Sequence, residues 1–439
     1  MRCLDRVSQP GPNRFNFAPG ETHELGVPMK PSSILILSAL HLCRNPRVVK
    51  EAATLGRAGY DVTVLTVSAS ARFEAMDREL ERGLPFRRLT LDLAGPAVAT
   101  RLRSLLSRGT TRLARTALRY LRIESPQALG PAYGLLAMAR GFPADLTIVH
   151  TEIPLWAAAA LVRAGCRFAV DFEDWYSEDL LHADRHGRPL RLLRRAEHFA
   201  LHHASYVAAT SDRMADTLAQ CYGGTRSIVI RNTFPLQSHT RLDRPIGAEP
   251  PAFVWFSQTV GPGRGLELFL AAWNQTTVRS SVVFLGDVRT AYRDQLLASV
   301  STDRRDRIVF QPPVAPDELP DRLADFDLGL ALEAHRPPSR DITITNKILQ
   351  YLNAGLAIVA TDTAGQTEVM RAAPGSGLLV AAHETTQFAA QLDALLADRV
   401  RLRECQSAAR AAAREKFCWE IDTPRLLSAV EHALVTPTA

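Results

Sequence analysis

Short apolar runs alternate with amphipathic stretches along most of this chain. The runs "SSILILSAL" (32–40), "YDVTVLTVS" (60–68), "DLTIVHTE" (145–152), "RFAVDFED" (167–174), "SYVAATS" (205–211) and "SIVIRN" (227–232) are apolar, largely β-branched and too short for helices, so they read as buried strands. Segments of helical period lie between them, such as "PRVVKEAATLGRAG" and "PLWAAAALVRAG". Each ends in a glycine, Gly59 or Gly165, as the left-handed turn that stops a helix requires. Strand alternating with helix predicts right-handed crossovers and a mostly parallel sheet.

The alternation repeats in "FVWFSQTV" (253–260), "SVVFLGD" (281–287), "RIVFQPP" (307–313), "DLGLALE" (327–333), "LAIVATD" (356–362) and "GLLVAA" (377–382). Among the helices between them is "PDELPDRLADF", whose Asp317 and Glu318 suit a positive helix N-terminus. After Gln387 the pattern is helical and alanine-rich to the end. The proline-rich, polar stretch 236–252 reads as a linker. The fold class is therefore α/β, with Rossmann-like domains at 31–235 and 253–416. A ligand cleft is expected beyond the C-terminal ends of the strands.

Composition adds limits. The chain has 439 residues, 46% hydrophobic and 22% charged, which suits two or three globular domains. No apolar run approaches the roughly 18–20 residues of a membrane span. Residues 1–30 lack the apolar core of a secretory signal and read as a disordered leader, with Met29 an alternative start. The cysteines are scattered without a CxxC pair, so neither a metal nor a disulfide framework is expected, and a reducing cytoplasm fits.

The net charge of +6 is unevenly spread. Between Asp92 and Glu124 there is no acidic residue, yet Arg101, Arg103, Arg108, Arg112, Arg115, Arg119 and Arg122 fall there, interleaved with leucines at helical spacing. One reading is a solvated, arginine-rich helix pair capping a domain. The other is attraction of 101–122 to an anionic membrane surface or a phosphorylated acceptor, which places the protein at the inner membrane face. Nucleic acid is not expected as a partner, since no stacking aromatics or binding motif accompany the arginines.

Candidate chemistry gathers at strand ends. In "TITNKILQYLNAGLAIVATD" (343–362), Thr345 is a candidate N-cap, and the amides of Asn346, Lys347 and Ile348 have no helical partner. With the helix dipole and the Lys347 charge they form an anion site. The plainer alternative is a capped core helix whose lysine faces solvent. "SQTVGPGRGLELFLAAW" turns through glycines after a strand and puts Arg264 and free amides at a helix start, without a GxGxxG or Walker signature. Paired with Lys347, it suggests a diphosphate held from two sides. The first half offers "VDFEDWYSEDL" (170–180), with Asp171, Glu173, Asp174, Glu178 and Asp179 around Trp175 and Tyr176. "VHTEIP" leaves His150 and Glu152 at another strand end. Aromatic rings among carboxylates suit sugar hydroxyls.

From about residue 32 onward the chain resembles the group 1 (family 4) retaining glycosyltransferases of the GT-B fold. The resemblance is densest in "NPRVVKEAATLGRAGYDVTVLT", "GPGRGLELFL", "FLGD", "ADFDLGLAL" and "NKILQYLNAGLAIVATDTAGQTEVM". It implies two Rossmann-like domains facing a cleft, the second binding a nucleotide-diphosphate sugar and the first presenting a glycan or lipid-linked acceptor. It also implies that the last helix, within 417–439, crosses back to the first domain. Arg264 and Gly265 match the lysine and glycine of the family's Arg-Lys-Gly motif, Gly263 occupies its arginine slot, and Gln258 falls where a further arginine is common. The paired glutamates are replaced: Ile342 stands at the first position and Gln350 at the second, ribose-binding one, with Glu333 and Asp341 both candidates to substitute for the first. "HLCRNPR" stands in place of the glycine-rich loop, and His150 or Glu152 in place of the sugar-contacting histidine. The implied chemistry is transfer with retention. Arg264, Lys347 and the Asn346 amide would stabilise the leaving diphosphate without an essential metal or cofactor, and Asp171 and Asp174 would orient acceptor hydroxyls. The rivals are a GT-B sugar-nucleotide epimerase and a silent sugar-nucleotide-binding subunit.

Overall fold

The computed structural model describes residues 31–436, apart from 246–248 and 382–383, so the expected leader and Met29 lie outside it. Two parallel sheets organise the described residues. The first has the order β3-β2-β1-β4-β5-β6-β7. Its strands are β1 (Ser33–Leu37), β2 (Asp61–Ser68), β3 (Arg87–Asp92), β4 (Leu146–His150), β5 (Phe168–Phe172), β6 (Val207–Ala209) and β7 (Ile228–Val229). The second has the order β10-β9-β8-β11-β12-β13. It contains β8 (Ala252–Val260), β9 (Ser281–Val288), β10 (Ile308–Gln311), β11 (Leu328–Ala331), β12 (Ala357–Thr361) and β13 (Gly377–Val380). The chain thus has the GT-B architecture.

Both faces of each sheet are covered by helices, which is why the strands read as continuous apolar runs. Side chains alternate between faces. Leu35 and Leu37 of β1 enter one core, while Ile34 and Ile36 enter the other. In the second sheet Phe253 and Trp255 point to one side and Val254 to the other.

Local signals explain most boundaries. Pro46 opens the helix Pro46–Arg57, and Asn45 Oδ1 accepts from the Val48 amide at 3.2 Å. Gly59 and Gly165, beyond the two helix ends, have φ of +96° and +82°. Three expectations need correction. β3, "RRLTLD", has no apolar run because it is an edge strand. Its Arg87 pairs with Asp61 at 2.9 Å and Arg88 with Glu74 at 2.9 Å. The helix expected over "PDELPDRLADF" is only Leu319–Leu323, since Pro320 fits the first helical turn, so Asp317 and Glu318 precede it. The arginine-rich segment is one continuous helix, Val98–Leu121, not a pair.

The last helix, Trp419–Val435, leaves the second half and packs on the first sheet. Trp419, Leu426, Val430 and Ala433 join the core formed by Ile34, Ile36 and Val48. The Trp419 indole N–H donates to Thr54 Oγ1 at 2.9 Å, and Thr233 donates to the buried Asp422 at 2.8 Å. This strap joins the two halves covalently and by packing. Trp419→Ala should therefore cost about 3 kcal/mol or more in urea unfolding; a loss under about 1 kcal/mol would show that the strap is not structural.

Candidate functional site

Each sheet reverses its strand order once, between β1 and β4 in the first and between β8 and β11 in the second. Ligands bind outside the C-terminal strand ends at such points. The loops after β8 and β11 carry the strongest charges there.

β8 ends in a register shift between Phe256 and Thr259, which leaves Gln258 exposed. The chain then turns through Gly263 and Gly265, with φ of +74° and +73°, into the helix Leu266–Trp273. A Cβ on Gly265 would sit 3.0 Å from Leu332 Cβ, so glycine lets this loop lie against the β11 exit. Arg264 thereby reaches Glu333, its guanidinium 3.8 Å from Oε1. Lys347 Nζ lies 3.1 Å from the same oxygen and 5.3 Å above the Trp255 ring. The Glu333 amide donates to Thr361 Oγ1 at 2.8 Å, and that hydroxyl donates back to the Glu333 carbonyl at 2.8 Å. Glu333, rather than Asp341, is therefore the carboxylate between the two cations. Asp341 faces His335, at 2.7 Å, and the Ala364 amide, at 3.2 Å.

Lys347 is only 8% exposed, which removes the reading of a lysine in solvent. It opens the helix Asn346–Ala354, ended by Gly355 at φ +70°. Thr345 occupies the N-cap position in an extended conformation, but its side chain does not cap. Its hydroxyl instead accepts from Gln366 Nε2 at 3.4 Å, so the N-cap side chain leaves the first-turn amides uncapped. Asn346 is exposed and its Oδ1 accepts from Asn232 Nδ2 at 2.9 Å. The Ile348 side chain belongs to the core, which leaves its amide as the available group. Gln350 is buried, and its Oε1 has no hydrogen-bond partner among the described residues. An acceptor in that state costs stability until a donor reaches it. Ile342 is buried, its carbonyl accepting from the Ser211 hydroxyl at 2.6 Å across the two halves.

The first half differs from expectation. His150 is fully buried, with Nδ1 3.0 Å from Glu173 and Nε2 2.6 Å from Glu51. Burial opposes charging the ring, but Glu51 and Glu173 outweigh it and push its pKa up to about 10. Asp171 is buried with Arg47 Nε at 2.8 Å. His150 and Asp171 belong to a buried ion network that fastens the helix Pro46–Arg57 to β4 and β5. Glu152 is ion-paired with Arg188. Among the described residues, the two acid–histidine groups close enough to hold a metal, His41/Glu74/Asp77 and Glu51/His150/Asp171, adjoin the cations Arg88 and Arg47.

Asp174 is the carboxylate of the expected set that meets the other half. Burial, then the charges of Asp179 and Glu173, raise its pKa to about 7 against the pull of Arg340. Burial also raises Asp179, while Arg340 and Arg264 pull it down. Arg340 thus acts on both carboxylates, and Arg264 on Asp179. The Trp175 amide donates to Ser339 Oγ at 3.0 Å beside them. Between the switch-point loops of the first sheet, Thr151 is held at φ +65°, an uncommon state for a β-branched residue. Its Oγ1 accepts from the Ala39 amide at 3.2 Å. Sequence reasoning passed over Arg340, in the short helix Pro338–Ile342, and Asn232, in a loop, because neither sits in a distinguishing pattern.

Comparisons with known proteins agree with this geometry. A glycosyl transferase 4-like domain matches residues 45–233, and a glycosyl transferases group 1 domain matches 250–398, so the gap between them falls in the linker. No curated protein has a matching sequence. Among solved structures, the chain is similar to Anabaena Alr3699/HepE in complex with UDP and glucose, at 18% identity and a TM-score of 0.64 over 91% of this chain and 99% of that one. Sucrose-phosphate synthase from Thermosynechococcus elongatus aligns at 14% identity and a TM-score of 0.66, over 91% and 98%. A putative UDP-N-acetylglucosamine 2-epimerase from Listeria monocytogenes aligns at 13% and 0.54, over 92% and 96%. At these identities the likeness is one of fold.

The raised pKa of His150 makes a testable statement. Its charged ring stabilises the fold fully below the ordinary value of 6.5, and that contribution is lost as pH rises through about 10. Lys50, pushed down to about 7 by burial and Arg47, titrates over the same interval with the opposite sign but is present in both proteins compared. The melting-temperature gap between wild type and His150→Gln should be widest below about pH 6.5 and narrow towards pH 10. A gap independent of pH would show that the buried ring is neutral.

Proposed function

Because this chain is built of two glycosyltransferase domains in the GT-B arrangement, we propose that it moves a sugar from a nucleotide-diphosphate sugar to an acceptor with retention at the anomeric carbon. The observation that carries this reading is the set Arg264, Glu333 and Lys347 at the β8/β11 switch point, beside the uncapped first turn at Asn346. Two cations and free amides converging on one point suit a diphosphate, and they oppose the charge that develops as the sugar–phosphate bond breaks. With that positive charge supplied by side chains and amides, the leaving group requires no metal. Glu333 accepts from a sugar hydroxyl, and Gln350 Oε1 accepts from the ribose. The C1–O bond to the diphosphate breaks while the acceptor oxygen bonds C1 from the same face, and its proton passes to a phosphate oxygen. Asp174 and Asp179 hold the acceptor hydroxyl from the first half.

UDP is the first nucleotide to test, since the HepE structure holds it. The acceptor is a glycan or lipid-linked molecule, met at the inner face of a membrane to which the helix Val98–Leu121 binds peripherally. Among the described residues no helix is long and apolar enough to cross a membrane. The epimerase reading is weaker, because both matched domain descriptions are of glycosyl transfer.

Lys347→Ala and Arg264→Ala should each lower turnover of a UDP-sugar by about 10²-fold or more, with the product's anomeric configuration matching the donor's by NMR. Near-normal rates would remove the phosphate assignment. Conversion of the nucleotide sugar without any acceptor would favour epimerisation.

A further inference from the structure

A cavity of about 1230 Å³ lies outside the donor site. Ala69 and Leu93, just past the C-terminal ends of β2 and β3, line its inner side, so it opens on the ligand-binding edge of the first sheet. Its walls are the helix Val98–Leu121 and the 185–191 segment. Eight arginines line it and no acidic residue does. Four of them, Arg108, Arg112, Arg115 and Arg119, recur at helical steps of four and three residues, so they share one face, and Arg122 follows just past the helix end. Like charges at that spacing destabilise a helix unless an anion compensates them.

Compensation within the protein is incomplete. Glu152 pairs with Arg188, Glu178 with Arg185, and Glu124 lies 3.7 Å from Arg191. These four and Arg122 have no carboxylate partner among the described residues. Arg115 donates only to the Ala128 carbonyl, at 2.8 Å. Burial and then Arg115 press the Arg188 pKa down, and Arg188 Nε is buried without a partner. Guanidiniums gathered in this way match the paired oxygens of phosphate, and their number exceeds the charge of a single phosphoryl group.

The same helix turns another face outward. Val98, Leu102, Leu105 and Leu113 recur on one stripe, each more than half exposed. An apolar stripe beside an arginine face is the arrangement of a helix lying in a membrane interface.

We infer that this cavity binds the diphosphate headgroup of a membrane-anchored acceptor, presented by the bilayer on which the helix Val98–Leu121 rests. The inference rests on the proposed transferase reading, because it places the acceptor in the first half. It names the acceptor's chemistry: a lipid diphosphate, whose polar end enters beside the arginines while its chain stays in the bilayer.

The test uses the full chain, phosphatidylcholine vesicles containing a polyprenyl diphosphate, and vesicles matched in charge with phosphatidylserine. Wild type should sediment about tenfold or more tightly with the diphosphate vesicles, and inorganic pyrophosphate should compete. Arg112→Glu/Arg119→Glu, at exposed positions, should lose that preference and bind pyrophosphate about tenfold more weakly, with UDP binding unchanged as the sign of an intact donor half. Leu105→Glu/Leu113→Glu should lose vesicle binding yet keep pyrophosphate binding. Equal sedimentation with both vesicle types, or wild-type pyrophosphate binding by the arginine variant, would overturn the assignment. Pyrophosphate binding that the arginine variant loses, with no vesicle retention by wild type, would overturn the membrane source alone. Failure of every protein to bind UDP would count against the donor reading and leave the cavity result standing.

Discussion

Glu333 is only 4% exposed, and a carboxylate so buried persists only where cations and hydrogen bonds compensate it. Lys347 and Arg264 supply the cations, one from a helix start and one from a glycine turn distant in sequence. The exchange of hydrogen bonds between Glu333 and Thr361 fixes the end of β11 against β12. One buried charge thus draws the glycine turn after β8 and the start of the Asn346 helix to a single point. That point is the reversal in strand order, so the topology and the electrostatics specify the same place.

The two halves are held in register by different means on either side of the cleft. On one side the strap helix buries Trp419, Leu426 and Val430 in the core of the first sheet. Nearer the site, polar contacts cross: Trp175 to Ser339, Ser211 to Ile342 and Asn232 to Asn346. The Asp174 and Asp179 carboxylates, whose pKa values burial raises, feel Arg340 of the second half, and Asp179 also feels Arg264. The network of Arg47, Glu51, His150, Asp171 and Glu173 ties the helix Pro46–Arg57 to the ends of β4 and β5.

Much of the fold was legible because parallel strands covered on both faces are written as plain apolar runs. β3 was not, since an edge strand has no buried face to advertise and its residues serve ion pairs instead. In the site, Lys347 was readable from its place at a helix start, and Arg264 from the glycines around it. Choosing Glu333 over Asp341 needed three dimensions, because both follow β11 and only distance to the cations separates them. His150 and Asp171 misled for a related reason: a polar residue at a strand end looks the same in sequence whether it faces a cleft or the helix behind it. Along 98–121 the period was plain, but the pattern did not say that the leucines point away from the body.

The central claim is that a nucleotide diphosphate is held between the β8 turn and the Asn346 helix start. Hydrogen exchange of the full chain with and without saturating UDP tests it most directly. The account predicts slowed exchange confined to peptides covering 258–265 and 345–350, with the strap and the helix Val98–Leu121 unchanged. Protection absent from both of those segments while UDP is bound would contradict it.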